Sequence, residues 1–202
     1  MQDAAPAAFS GRTVPTTLSR HIEVPRQGNR EAASFLAQLE DQTRRLWLDL
    51  RGIRPAELQW QPKRGANTIG MLLAHLAIVE VYWLLIAGER MTHAGVKRVL
   101  GIAVDDDGMP AAADALPPAH LQGKPLGYYR KLIARARKFV ARSTQQFGDD
   151  DMERFVVRRR RDGKRTRHSI RWIHYHVLEH FAGHYGQILL LRHLYKDRQK
   201  PV

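Results

Sequence analysis

The segment Thr68-Ile-Gly-Met-Leu-Leu-Ala-His75-Leu-Ala-Ile-Val-Glu80-Val-Tyr-Trp-Leu-Leu-Ile-Ala87 constrains the chain most, because it is apolar on nearly every side. Asn67 or Thr68 stands ready to cap its start and Gly88 to stop it. A helix with no polar face must be enclosed by other helices or by lipid. Its length of about 20 residues would span a bilayer. Against that stand His75 and Glu80 near its middle, each costing up to about 3 kcal/mol there if charged. The sequence offers no second span, so the segment is expected to be the central helix of a bundle that does not enter a membrane.

Three further stretches show helical periodicity. From Asn29 or Glu31 to Arg51, Leu36, Leu39, Leu46 and Leu50 share one stripe, interrupted by Thr43. From Gly127 to Phe147, Tyr129, Leu132, Ala136, Phe139, Val140 and Phe147 turn inward, with Arg130, Lys131, Arg135, Lys138 and Arg142 largely outward. From Ser169 to Tyr195 the inward positions are Ile173, Val177, Phe181, Ile188, Leu191 and Tyr195. The predicted fold class is therefore all-α, a four-helix bundle. A long Gly-, Pro- and Asp-rich loop, Glu89 to Leu126, joins its second and third helices. Phe155-Val-Val and Asp162-Gly163 predict a short hairpin or extended turn before the fourth. Residues 1–29, rich in Ala, Pro, Thr and Ser, read as an N-terminal arm without the roughly 7–15-residue apolar run of a secretory signal. Residues 30–202 read as one domain, which 44% hydrophobic and 26% charged residues suit. A cytoplasmic protein is expected.

The fourth helix carries the chemistry. His180 and His184 lie one turn apart, with Cβ atoms roughly 5–6 Å from each other, so both can reach one ion at about 2.0–2.1 Å. They also fill the missing steps of the inward stripe. With His75 on the central helix they form the candidate metal ligands. His174, His176 and His193 fall off that stripe and read as surface or rim residues. Glu80, about 140° round the helix from His75, is poorly placed as a fourth ligand. An outer partner of the site or an ion pair with Arg171 are its expected roles. Tyr185 and Gln187 flank the histidines and read as surface or packing residues, with substrate orientation as the alternative. Asp105-Asp106-Asp107-Gly108 lacks the alternate ligand spacing and terminal Glu of a calcium loop.

Three neutral imidazoles leave an ion its full charge and open positions, the layout of catalytic zinc. Nickel suits the same ligands, and iron is admissible. Such a site can activate water, as in a hydrolase, or deprotonate a thiol. The chain has no cysteine, so the thiol must come from outside. A net charge of +13 would attract an anionic one. The run Arg158-Arg-Arg-Arg161-Asp-Gly-Lys164-Arg165-Thr-Arg167 supports a rival reading, a metal-stabilised non-catalytic protein with a nucleic-acid-binding surface. Aromatic interleaving and any recognised nucleic-acid motif are missing, so specific nucleic-acid binding is not expected. A solvated basic loop, bordering the site mouth or a partner, is.

The run Leu58-Gln-Trp60-Gln-Pro62 to Gly70-Met-Leu-Leu-Ala-His75-Leu, with Arg171-Trp172, Glu179-His180 and His184-Tyr-Gly186-Gln187 far downstream, resembles the DinB-like superfamily over roughly residues 30 to 196. That group contains thiol-dependent transferases and mycothiol-dependent maleylpyruvate isomerases. The resemblance implies a four-helix bundle, usually a homodimer, holding a divalent metal through one histidine of the second helix and two residues of the fourth. Those positions are His75, His180 and His184. The isomerase branch tends to carry a glutamate at position 180, so the all-histidine set is more similar to the bacillithiol-transferase branch. The implied activity is metal-dependent transfer of a low-molecular-weight thiol, bacillithiol, mycothiol or glutathione, to an electrophile.

Overall fold

The computed structural model describes residues 21–25, 29–159 and 162–198. Most of the expected arm, residues 1–20 and 26–28, therefore lies outside the described residues. Four long helices dominate: α1 (Arg30–Asp49), α3 (Ile69–Ala87), α5 (Leu126–Thr144) and α6 (Ile170–Asp197). Two short ones intervene, α2 (Pro55–Leu58) and α4 (His93–Leu100), and β1 (Phe155–Arg159) pairs with β2 (Arg165–Ser169) before α6. Among the described residues the protein is mainly helical with one small antiparallel sheet.

α3 is the predicted central helix. Thr68 caps it by accepting a hydrogen bond from the Met71 N–H at 3.0 Å, and Gly88 follows its last turn. It packs against α4, α5 and α6. Only His75, Val79 and Tyr82 retain partial exposure along its length. These three lie on one stripe, at i, i+4 and i+7, so the single uncovered face of the core helix is the one that opens onto the site. Gly70 lets α5 close against α3, because a Cβ there would run into the Tyr129 hydroxyl.

A polar group sits at the centre of the core. Glu80 on α3 is 2% exposed, and Arg137 Nη2 on α5 lies 3.1 Å from its Oε1. The same Nη2 donates to Thr43 Oγ1 on α1 at 2.6 Å, and the guanidinium lies 5.2 Å from the Phe181 ring on α6. Thr43 thus breaks the apolar stripe of α1 to serve this layer. Burial pushes the Glu80 carboxyl up to about 7 against the opposing pull of Arg137. The expected Glu80 pairing with Arg171 does not form: Arg171, at the exposed start of α6, pairs with Glu31 and Glu153.

Two other expectations change. The connection at 89–126 is not all loop, since α4 forms inside it with Thr92 as N-cap and Gly101 in the left-handed region as its C-cap. Eight residues are too few to raise a periodic signal above the surrounding Gly and Pro. His174 is no rim residue. It is 3% exposed and stacks on Phe35 of α1 with ring centroids 4.5 Å apart. The cause is that α6 packs against α1 as well as α3, so it buries more than one stripe. His193 is exposed, as expected. The hairpin forms in the register Val156↔His168 and Arg158↔Thr166, and β1 lies against α3.

Candidate metal centre

His75 rises from the uncovered stripe of α3 to meet His180 and His184 on α6. His180 Nε2 lies 3.1 Å from His75 Nε2 and 3.1 Å from His184 Nε2. The three donor atoms all fall within 4.8 Å of one another. Nitrogens sharing one ion at about 2.0–2.1 Å stand roughly 3.0 Å apart at a right angle and roughly 3.4 Å at a tetrahedral one. The two 3.1 Å separations from His180 lie between these.

The outer faces of two rings are held. Asp107, 2% exposed, accepts from His75 Nδ1 through Oδ2 at 2.7 Å and from the Met109 N–H through Oδ1 at 3.0 Å. Gln187 Oε1 accepts from His184 Nδ1 at 2.9 Å. With Nδ1 carrying the proton, both Nε2 atoms present lone pairs to His180. A proton on His180 Nε2 can bridge only one of the two gaps. The other gap then has no proton to fill it and its acceptor is left without a donor, whereas with Nε2 bare on all three rings the converging lone pairs can be shared by one cation. The donor set therefore fits a divalent ion.

Burial, and then the neighbouring imidazoles of His184 and His75, push His180 down to about 3. Burial lowers His184 too, with the Gln187 hydrogen bond opposing. Both rings are neutral at pH 7, the form that ligates a metal.

A cavity of about 600 Å³ opens onto His75 and His180, with Val79, Tyr82, Trp83 and Arg158 among its walls. Trp83 is ringed by His168, His176 and Trp172 at centroid distances of 5.1, 4.9 and 5.4 Å. His176 stacks on Trp172 at 4.7 Å and shares a 3.0 Å hydrogen bond with Glu179. It lines the cavity and stays outside the donor cluster. A second cavity, of about 420 Å³ between α1 and the end of α5, touches none of the histidines.

Sequence reasoning missed Asp107, dismissing its loop as a failed calcium site, and took Gln187 for a surface or packing residue. Tyr185 meets Asp49 of α1 and is a packing residue. No period could have linked Asp107 to His75, because the contact joins a loop to a helix 32 positions away.

The helical core and three converging imidazoles define a candidate histidine-ligated metalloprotein with an open cavity. The mycothiol-S-transferase family profile matches residues 34–197, and the chain belongs to that family, within the DinB-like superfamily. No curated protein matches the chain significantly.

Proposed function

We propose that this protein is a divalent-metal-dependent S-transferase that uses mycothiol, with His75, His180 and His184 as the metal ligands. Convergence of three Nε2 atoms, two of them backed by Nδ1 acceptors, carries the reading. Family membership supports a thiol-transferase-like enzyme. It also favours mycothiol over bacillithiol, toward which a histidine at position 180 leaned. Zinc or nickel best suits the imidazole set.

A divalent ion held here supplies the positive charge that keeps a thiol deprotonated at neutral pH. The chain's own residues do the rest. Asp107 and Gln187 hold the Nδ1 protons of His75 and His184, orienting both rings and raising their basicity. Val79, Tyr82 and Trp83 give the cavity an apolar wall that limits water, which favours transfer to an electrophile over hydrolysis. The opening onto His75 and His180 supports a catalytic site over a closed structural one. A four-helix layout, homodimeric assembly and a cytoplasmic setting follow from the same family reading. Burial of α3, the one described helix long and apolar enough to span a bilayer, suits that setting.

Zinc- or nickel-loaded protein should conjugate mycothiol to a benzylic chloride faster than it conjugates bacillithiol or glutathione. Ester hydrolysis that a chelator abolishes, with no thiol transfer to any of the three, would instead make the protein a hydrolase.

A further inference from the structure

The cavity before the histidines has a cationic wall that thiol activation does not use. Arg158 lies on β1 opposite Thr166, on the same side of the strand as buried Val156. Its guanidinium carbon sits 5.3 Å from the Tyr82 ring and 5.0 Å from the Trp83 ring, and its Nε donates to the Tyr82 hydroxyl at 3.1 Å. Stacking on two rings and one hydrogen bond orient a planar group that would otherwise sample many rotamers. Among the described residues no carboxylate forms an ion pair with it. Asp105 and Asp162 line the same cavity, and neither is without a partner.

An oriented guanidinium whose terminal N–H groups have no carboxylate ion-pair partner among the described residues suits a carboxylate, which it can grip through two parallel hydrogen bonds. Beside it, Val79, Val104, Met109 and Pro110 form an apolar wall. We infer that Arg158 is a specificity-determining residue that selects a reactant carrying a carboxylate on a compact apolar body, held in the cavity that opens onto His75 and His180. The inference rests on the S-transferase reading for its chemistry, while the recognition can be measured without any turnover. With mycothiol, which has no free carboxylate, the electrophile brings it; a carboxylate brought by the thiol would instead argue for a different thiol.

Binding is read first, as quenching of tryptophan emission by the unreactive pair 4-methylbenzoate and 4-methylbenzamide. Wild-type protein should bind the benzoate at least about tenfold more tightly, the scale of a charge-assisted hydrogen bond. Arg158→Gln should reduce that preference to about twofold or less, and Tyr82→Phe, which keeps the ring but drops the hydroxyl, should reduce it in part. Arg165→Gln, an equal loss of charge on an exposed residue, should keep the preference, which separates local contact from the general positive field.

Turnover then locates the source. One arm holds mycothiol constant and compares 4-(chloromethyl)benzoate with 4-(chloromethyl)benzamide, where the C–S bond forms as the C–Cl bond breaks, chloride leaves and the thiol proton passes to solvent. The other holds the benzamide constant and compares 3-mercaptopropionate with 3-mercaptopropionamide. A carboxylate preference in kcat/KM that Arg158→Gln removes in one arm assigns that reactant. Equal binding of benzoate and benzamide by wild type, or a preference unchanged in Arg158→Gln, overturns the inference even if thiol transfer proceeds. Arg158-dependent benzoate binding without transfer to any thiol would sink the S-transferase reading and leave the recognition standing.

Discussion

Asp107→Asn isolates the one outer contact that ties a loop to the metal centre. In the native protein the two carboxylate oxygens are committed separately, Oδ2 to His75 Nδ1 at 2.7 Å and Oδ1 to the Met109 N–H at 3.0 Å. An asparagine has one acceptor for two donors, so either His75 or the Met109 amide loses its partner. A hydrogen bond to a charged group contributes about 1.5–3 kcal/mol and a neutral one about 0.5–1.5 kcal/mol. Losing the charge and part of the geometry should cost about 1–2 kcal/mol of metal binding, or roughly 5–30-fold in affinity. That overlaps the 10- to 100-fold range, on the order of what outer partners of ligating histidines contribute elsewhere. Gln187→Ala removes a neutral, exposed acceptor and should cost only about threefold. Zinc affinity measured by competition with a chromophoric chelator at pH 7.5 reads both, with thermal unfolding of the metal-free proteins to check that each variant folds. If Asp107→Asn holds zinc within twofold of wild type, the contact does not orient His75 and the assignment of Asp107 fails.

Replacing His75, His180 or His184 by Ala should each remove stoichiometric metal, as read by elemental analysis, while His176→Ala should retain it; the reverse pattern would shift the site by one step of the helix. For His174, burial lowers the ring to about 4 against about 6.5 in an unfolded chain. Between those values the unfolded chain binds a proton that the folded protein refuses, so stability is retained above about pH 6.5 and falls by about 3 kcal/mol as the pH drops through 4. His174→Phe should flatten urea-unfolding free energies over that window by a similar amount, and a curve parallel to wild type would contradict the buried, neutral ring. Arg137→Met leaves Glu80 buried without its partner and should destabilise by about 3–5 kcal/mol, whereas Glu80→Met with Arg137→Met should recover most of it. A loss in the double variant equal to the sum of the losses in Arg137→Met and Glu80→Met alone would show that the pair is not coupled.

How much of this was legible in the sequence depends on the range of the signal. The central helix announced itself because twenty nearly apolar residues leave few ways to fold, and the His180–His184 pair because both complete a core stripe. Periodicity assigns one buried face per helix, so it misread His174 on α6, which packs against both α1 and α3. α4 was too short to show a period, and Asp107 reaches His75 from a loop, where no period exists. Arg158 was partly readable: in a strand that alternates, it shares a face with Val156, but its run of neighbouring arginines suggested charge rather than position. Glu80 read as poorly placed for a fourth ligand, and no signal pointed to its partner Arg137, on a helix whose other basic residues read as largely outward.

Metal content and mycothiol conjugation measured together, on one preparation stepped from metal-free to fully loaded, test the site and its chemistry at once. Rate should rise in proportion to bound metal, extrapolate to zero in the metal-free protein and saturate close to one ion per chain, with His180→Ala inactive at every loading. Conjugation that is independent of loading, or retained in metal-free His180→Ala, would contradict a three-histidine metal centre as the source of the activity.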